Sequence, residues 1–87
     1  SSGCPNPFNP RTAISYGLPQ STHVNLAVYD QRGRRVRTLM DSVVAAGEQV
    51  VDWDGKDDRG QPVASGTYVA RLVTEQGIRS SKLTLAK

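Results

Sequence analysis

Four aspartates crowd one short stretch of the chain, Asp52, Asp54, Asp57 and Asp58, with Gly55 and Gly60 among them. Hard cations such as calcium take several carboxylate and carbonyl oxygens at once, and a glycine-bearing loop can fold carboxylates around one. A calcium site here would rest on Asp54, Asp57 and Asp58. Asp52 falls between Val51 and Trp53 in an alternating segment and faces away from them. The spacing departs from the twelve-residue calcium loop that lies between two helices, and no Glu closes it. A second reading needs no metal, because Asp side chains accept hydrogen bonds from nearby backbone amides and so hold turns on their own. Both readings stand on sequence alone, and no cofactor other than calcium is implied.

Nucleophilic catalysis needs Ser or Cys beside a base that a third group orients. His23 is the only imidazole, and the chain contains no Gly-x-Ser-x-Gly elbow. Cys4 is the only cysteine and precedes Pro5, which reads as a free thiol without a disulfide partner in the chain. No enzymatic activity is expected. Arg32, Arg34, Arg35 and Arg37 form the one basic cluster in a chain of formal net charge +3. They flank a turn, and no aromatic residues alternate with them to stack bases. They read as a solvated charged surface, and no nucleic-acid partner is expected. Trp53 either fills space between sheets or stacks on a carbohydrate, with the packing role expected for a large aromatic among short strands. Tyr29 lies on the opposite parity from Leu26 and Val28 and is the more exposed aromatic.

Positioning these residues falls to a chain of 87 residues, 37% hydrophobic and 22% charged. That is enough for one small domain with a modest core. No run of 18 apolar residues could span a bilayer as a helix. No signal-like segment opens the chain, so any export signal would belong to a longer precursor.

Alternation with a period of two recurs along the chain, and no dozen residues carry a helical apolar stripe, which predicts an all-β fold. Ile14, Tyr16 and Leu18 share one face of a first strand, and Val24, Leu26 and Val28 share one face of a second. Pro19 to Thr22 connects them, since proline gives no ladder donor. Asp30-Gln31-Arg32-Gly33 places a turn-starting Asp three residues before a Gly that can adopt positive φ, and predicts a hairpin turn. Asp57-x-x-Gly60 repeats the device. In the third strand Val36 is predicted to face the core with Arg35 and Arg37 in water. Leu39 then breaks parity, which predicts a bulge near Thr38 or the strand's end. Asp41 to Gly47 is weakly patterned and reads as irregular. Val51 and Trp53 form the next inward pair. Asp54 to Gly66, with three Gly and three Asp, is the longest loop. Tyr68, Ala70 and Leu72 face inward in a further strand, Glu75-Gln76-Gly77 turns, and Leu83 and Leu85 supply the last inward face. Ile78 is off parity, which predicts a bulge or twist near Ser80. Six or seven short strands with regular turns suggest a sandwich or barrel. The predicted core is Ile14, Tyr16, Val24, Leu26, Val28, Val36, Trp53, Tyr68, Leu72 and Leu83.

Pro5-Asn6-Pro7-Phe8-Asn9-Pro10 opens the chain, with Pro fixing φ and restricting the residues before it. Phe8 is an apolar anchor expected to pack across one end of the core. This segment, with Thr12, Ile14, Tyr16, Leu18-Pro19, Val28-Tyr29-Asp30, Gly33-Arg34, Val36 to Leu39, Ala46-Gly47, Trp53-Asp54-Gly55, Asp58, Gly60, Val63, Ser65-Gly66 and Tyr68, resembles the C-terminal sorting domains of the type IX secretion system. The same residues are similar to flagellar hook-capping-like Ig domains. Lys82 to Lys87 looks like the sorting family's terminal strand and basic end. The resemblance implies an Ig-like antiparallel β-sandwich over residues 10–87, with residues 1–9 as an entry segment. It implies a non-catalytic C-terminal domain of a larger secreted protein that serves as a sorting signal and surface-attachment module. Its expected partners are the outer-membrane secretion machinery and N-terminal cargo domains of the same chain, at the outer-membrane surface of a Gram-negative bacterium. The structural and recognition residues so implied are Phe8, Asp30, Gly33, Trp53, Gly55, Gly60, Gly66, Tyr68, Leu83 and Leu85. An accessory glycan- or calcium-binding module and a structural spacer or flagellar hook scaffold domain are the alternatives.

Overall fold

The computed structural model describes residues 11–86. Phe8 and the entry segment, residues 1–9, lie outside the described residues. Six strands are described: β1 (Thr12–Leu18), β2 (Thr22–Tyr29), β3 (Arg35–Val44), β4 (Gly47–Trp53), β5 (Gly66–Thr74) and β6 (Gly77–Leu85). They form an antiparallel two-stranded sheet, β1-β4, and an antiparallel four-stranded sheet ordered β3-β2-β5-β6. The fold is all-β and Ig-like.

Alternation decides what each strand buries. Ile14, Tyr16 and Leu18 of β1 turn inward, with Val51 of β4 opposite Ile14 and Trp53 opposite Thr12. Val24, Leu26 and Val28 of β2, Tyr68 and Ala70 of β5, and Leu83 and Leu85 of β6 complete the core from the larger sheet. Val36 and Leu72, predicted to be core, are only partly buried and pack against it. Leu18, Ala70 and Leu85, predicted to face inward on their strands, are buried, and Ala27 is buried in addition.

The β2–β3 ladder slips twice, between Leu26 and Ala27 and between Val28 and Tyr29, which leaves Leu39 and Val36 as the extra residues of β3. The parity break at Leu39 is thus a bulge. The second bulge, at Val36, overturns the expected orientation of Arg37. It pairs with core-facing Val28 and turns toward the β4–β5 loop rather than into water. Asp41 to Val44 is strand, not irregular chain, and pairs with Thr22 to Asn25. No bulge occurs near Ser80: β5 and β6 pair without a slip from Gly66–Leu85 to Thr74–Gly77. Ile78 lies opposite Val73 on the outer face of the sheet and is 57% exposed.

Candidate functional site

The acidic loop after β4 is built from a second copy of the β2–β3 hairpin's turn and a cation from β3. In the β2–β3 hairpin, Asp30 Oδ1 accepts from the amides of Arg32 and Arg34 at 2.9 and 3.0 Å, and Gly33, at φ 82°, donates its N–H to the Asp30 carbonyl. The loop repeats this bond for bond. Asp57 Oδ1 accepts from the amides of Arg59 and Gln61 at 2.9 and 3.0 Å, and Gly60, also at φ 82°, donates to the Asp57 carbonyl. The second position after a turn-starting Asp needs an amide aimed back at the carboxylate, and positive φ at the glycine closes the turn. The amide of Arg34 is the chief cause holding the Asp30 carboxyl below its ordinary pKa.

Each loop carboxylate has an assigned task. Asp54 Oδ1 accepts from the Lys56 amide at 3.1 Å and from Arg37 Nη1 at 3.2 Å. Arg37 Nη1 also reaches the carbonyl oxygens of Lys56 and Asp57. Asp58 caps the outer edge of β3: its N–H donates to the Val36 carbonyl and its Oδ1 accepts from the Thr38 amide at 2.9 Å. Its other oxygen lies 3.9 Å from Arg35 Nε. Among the described residues no three or more His, Cys, Asp or Glu side chains come together that could hold a metal ion. The guanidinium of Arg37 supplies positive charge beside the Asp54 carboxylate, and backbone amides take one oxygen of each of Asp54, Asp57 and Asp58. This geometry speaks against the calcium expectation.

Trp53 anchors the loop to the core. It is fully buried, its Nε1–H donates to the Lys56 carbonyl at 2.9 Å, and its ring meets Tyr68 edge-on, 5.1 Å between centroids at 72°. Burial without sugar-accessible surface leaves no face for carbohydrate stacking. The Tyr68 hydroxyl donates to the Ala64 carbonyl at the other end of the loop. Burial, and then the Asp30 charge, raise its pKa. Gly55 accepts from the Val63 amide through its carbonyl, and Gly66 opens β5 opposite Leu85. Leu83 and Leu85 are buried on β6. Tyr29 is half-buried on the outer face, with the Arg71 guanidinium 5.9 Å from its ring centroid. His23 lies on the same face, 3.0 Å from Asp41, with no nucleophile beside it in a described hydrogen bond. Sequence reasoning missed Arg37 as the centre of the loop. The available signal was the count of loop carboxylates against a single strand whose parity was already broken.

Residues 9–77, well over half of the chain, match the family model described as the FlgD Ig-like domain. A solved structure of FlgD from P. aeruginosa is 32% identical with a TM-score of 0.67, over 86% of this chain and 59% of that one. FlgD from Xanthomonas campestris, whose structure is described as giving insight into the hook capping essential for flagellar assembly, is 29% identical with a TM-score of 0.62, over 88% of this chain and 56% of that one. No curated protein matches. The chain thus spans less than three fifths of the solved FlgD chains it matches. These findings overturn the type IX sorting reading. With it fall the outer-membrane secretion machinery and cargo domains as partners and the outer-membrane cell surface as the address. Where the resemblance pointed two ways, the match over residues 9–77 and the shared fold decide between them, and the chain belongs to the FlgD Ig-like domain family.

Proposed function

We propose that the chain is a non-catalytic structural module of a flagellar hook-capping protein, a rigid Ig-like scaffold that presents surface to its assembly and performs no chemistry. The observation that carries this reading is the FlgD Ig-like match over residues 9–77 joined to a likeness of fold to two FlgD structures. The internal bonds of the acidic loop support it, since one oxygen of each of Asp54, Asp57 and Asp58 is committed to backbone amides and so to holding a shape. Fold alone does not assign a function, so the test is a replacement in the cell. This domain is substituted for the matched domain in the hook-capping protein of a flagellated bacterium, and hook assembly and swimming are scored. Hooks that complete in the chimera support the reading. A chimera that is present at normal abundance, folded, and still leaves hooks uncapped rejects it.

A further inference from the structure

The two sheets turn outer faces of opposite charge to their surroundings. On the two-stranded sheet, Glu48, Val50 and Asp52 of β4 alternate with the inward Val51 and Trp53 and so point away from the core, opposite Gly17, Ser15 and Ala13 of β1. All six are exposed, Val50 at 66%. This face carries two carboxylates and no cation among these residues.

The four-stranded sheet is the reverse. Arg35 pairs with Tyr29, Tyr29 with Val69 and Val69 with Lys82, which makes one row across all four strands. Tyr29 has the parity opposite to core-facing Val28, so the row lies on the outside. Its cationic ends are exposed and its two middle residues are half-buried. Arg71 adds a third positive charge over the Tyr29 ring. Asp58 approaches Arg35 to 3.9 Å from the sheet's edge, yet the arginine side chain stays 62% exposed. Asp41, the acid of this face among the described residues, lies away from the row and is held by His23.

Spacing matches the two surfaces as well as sign. Outward residues on a strand are two apart, so Glu48 and Asp52 stand about 13 Å apart with Val50 midway. Arg35 and Lys82 are separated by three gaps between strands, about 14 Å, with Tyr29 and Val69 between them. Acid, aliphatic, acid along β4 therefore meets base, apolar pair, base along the row. The fit requires β4 to cross the strands of the larger sheet near a right angle, one of the two usual ways in which sheets pack.

We propose that the outer face of β4 in one copy of this chain docks across the Arg35 to Lys82 row of a second copy, with Glu48 and Asp52 meeting the two cations and Val50 covering Tyr29 and Val69. The two surfaces differ and lie on opposite sides of the molecule, so the contact is head to tail and a stack grows past two copies. Exposed ion pairs each contribute little, so the contact is weak and depends on salt, with charges screened beyond about 3 Å at 1 M ionic strength.

The test is sedimentation equilibrium of the full 87-residue chain at up to about 1 mM protein. In about 10 mM salt the mean mass is expected to rise with concentration beyond that of a dimer, and in about 1 M salt to return to the monomer. Glu48→Lys with Asp52→Lys, and separately Arg35→Glu with Lys82→Glu, should each be monomeric alone, and mixing the two proteins should restore association. Glu75→Lys, in the β5–β6 turn away from both surfaces, should leave association unchanged. A chain that stays monomeric at low salt overturns the proposal, as does growth that stops at two copies, association that survives either reversal, or a mixture that remains monomeric. Equal loss on Glu75→Lys would reduce the effect to net charge and also overturns it. If a reversed protein does not fold, amide shifts of the unaltered chain on dilution decide: they must move at Glu48 to Asp52 and along the Arg35 to Lys82 row, and movement confined to other surfaces rejects the contact.

Discussion

Arg37 Nη1 sits 3.2 Å from Asp54 Oδ1, and the same nitrogen reaches the Lys56 and Asp57 carbonyl oxygens at 3.3 and 3.4 Å. A bulge at Val36 is what aims this side chain inward. One guanidinium therefore joins the edge strand β3 to the loop between β4 and β5. Charge-assisted bonds of this kind exceed neutral ones, but the pair is part-exposed at 30% and 40%, which weakens it. Arg37→Ala is expected to cost about 1–2 kcal/mol in urea unfolding. It is also expected to speed amide exchange at Asp58 and Thr38, which hold loop and strand together. Loss of stability with unchanged exchange at those two amides would show that Arg37 does not hold the loop.

Calcium is expected to leave the domain unaffected. A cation bound at 100 times its Kd raises stability by about 2.7 kcal/mol, which a thermal melt resolves easily. Melts in about 10 mM calcium chloride, roughly 100 times the tighter end of the range where extracellular calcium modules bind (about 10⁻⁴ M), should match those in sodium chloride of equal ionic strength. A calcium-specific rise in Tm that Asp57→Ala abolishes would return the loop to metal binding.

Acid should weaken the fold through Asp30. Its folded-state pKa lies below the ordinary 3.8, chiefly because the Arg34 amide bonds the carboxylate. A depressed folded value means that the contribution is complete above the unfolded pKa and disappears as the pH falls through the folded one. The urea midpoint should therefore drop between about pH 5 and pH 2. Asp30→Asn keeps an acceptor oxygen but not the titration, so its midpoint should follow a flatter curve over the same range. An identical pH profile for both proteins would remove Asp30 from the acid response.

Trp53 joins core and loop, and its truncation should remove both. Trp→Ala in a buried site costs about 3–5 kcal/mol, a large part of the 5–15 kcal/mol that holds a small domain together. Trp53→Ala is expected to be largely unfolded by circular dichroism near 37 °C. Trp53→Phe keeps an apolar ring against Tyr68 and loses only volume and the bond to Lys56, so it should fold with intermediate stability. Equal stability for the two would mean that ring packing contributes little.

The sequence shows the local features of this molecule and hides the distant ones. The turns at Asp30 and Asp57 are legible because donor, acceptor and glycine lie within five residues. Leu39 announces its bulge because an apolar side chain on the wrong parity needs an explanation. The bulge at Val36 has no such signal: it redirects Arg37, and an arginine on either face of an edge strand is unremarkable until its partner, Asp54, is known to lie against it. Asp41 to Val44 looks irregular because Val43 faces solvent beside His23 while Ser42, opposite core-facing Val24, is polar and itself exposed. Ile78 misleads for the related reason that its neighbour Val73 shares the outer face. Family assignment divided because the residues that carry the resemblance are turn and core residues. They specify the sandwich, and two kinds of protein can use one sandwich.

Gly33 and Gly60 should respond alike to substitution, because they occupy the same position of the same turn at the same φ of 82°. A Cβ at either site would meet nothing within 4 Å, so the cost of an alanine is conformational and not steric. Holding a non-glycine residue in this left-handed region costs about 1 kcal/mol or somewhat more. Asn tolerates that region better than Ala. Gly33→Ala and Gly60→Ala are each expected to lose about 1 kcal/mol, with Asn at either site losing less. The sites lie in separate turns, so the double alanine variant should lose the sum to within about 0.5 kcal/mol. Chemical denaturation of the four single variants and the double measures all of this. A markedly larger loss at Gly60 would mean that the loop turn is held under constraint by Arg37 and Asp58, and that the two turns, alike in their bonds, differ in how firmly the rest of the fold grips them.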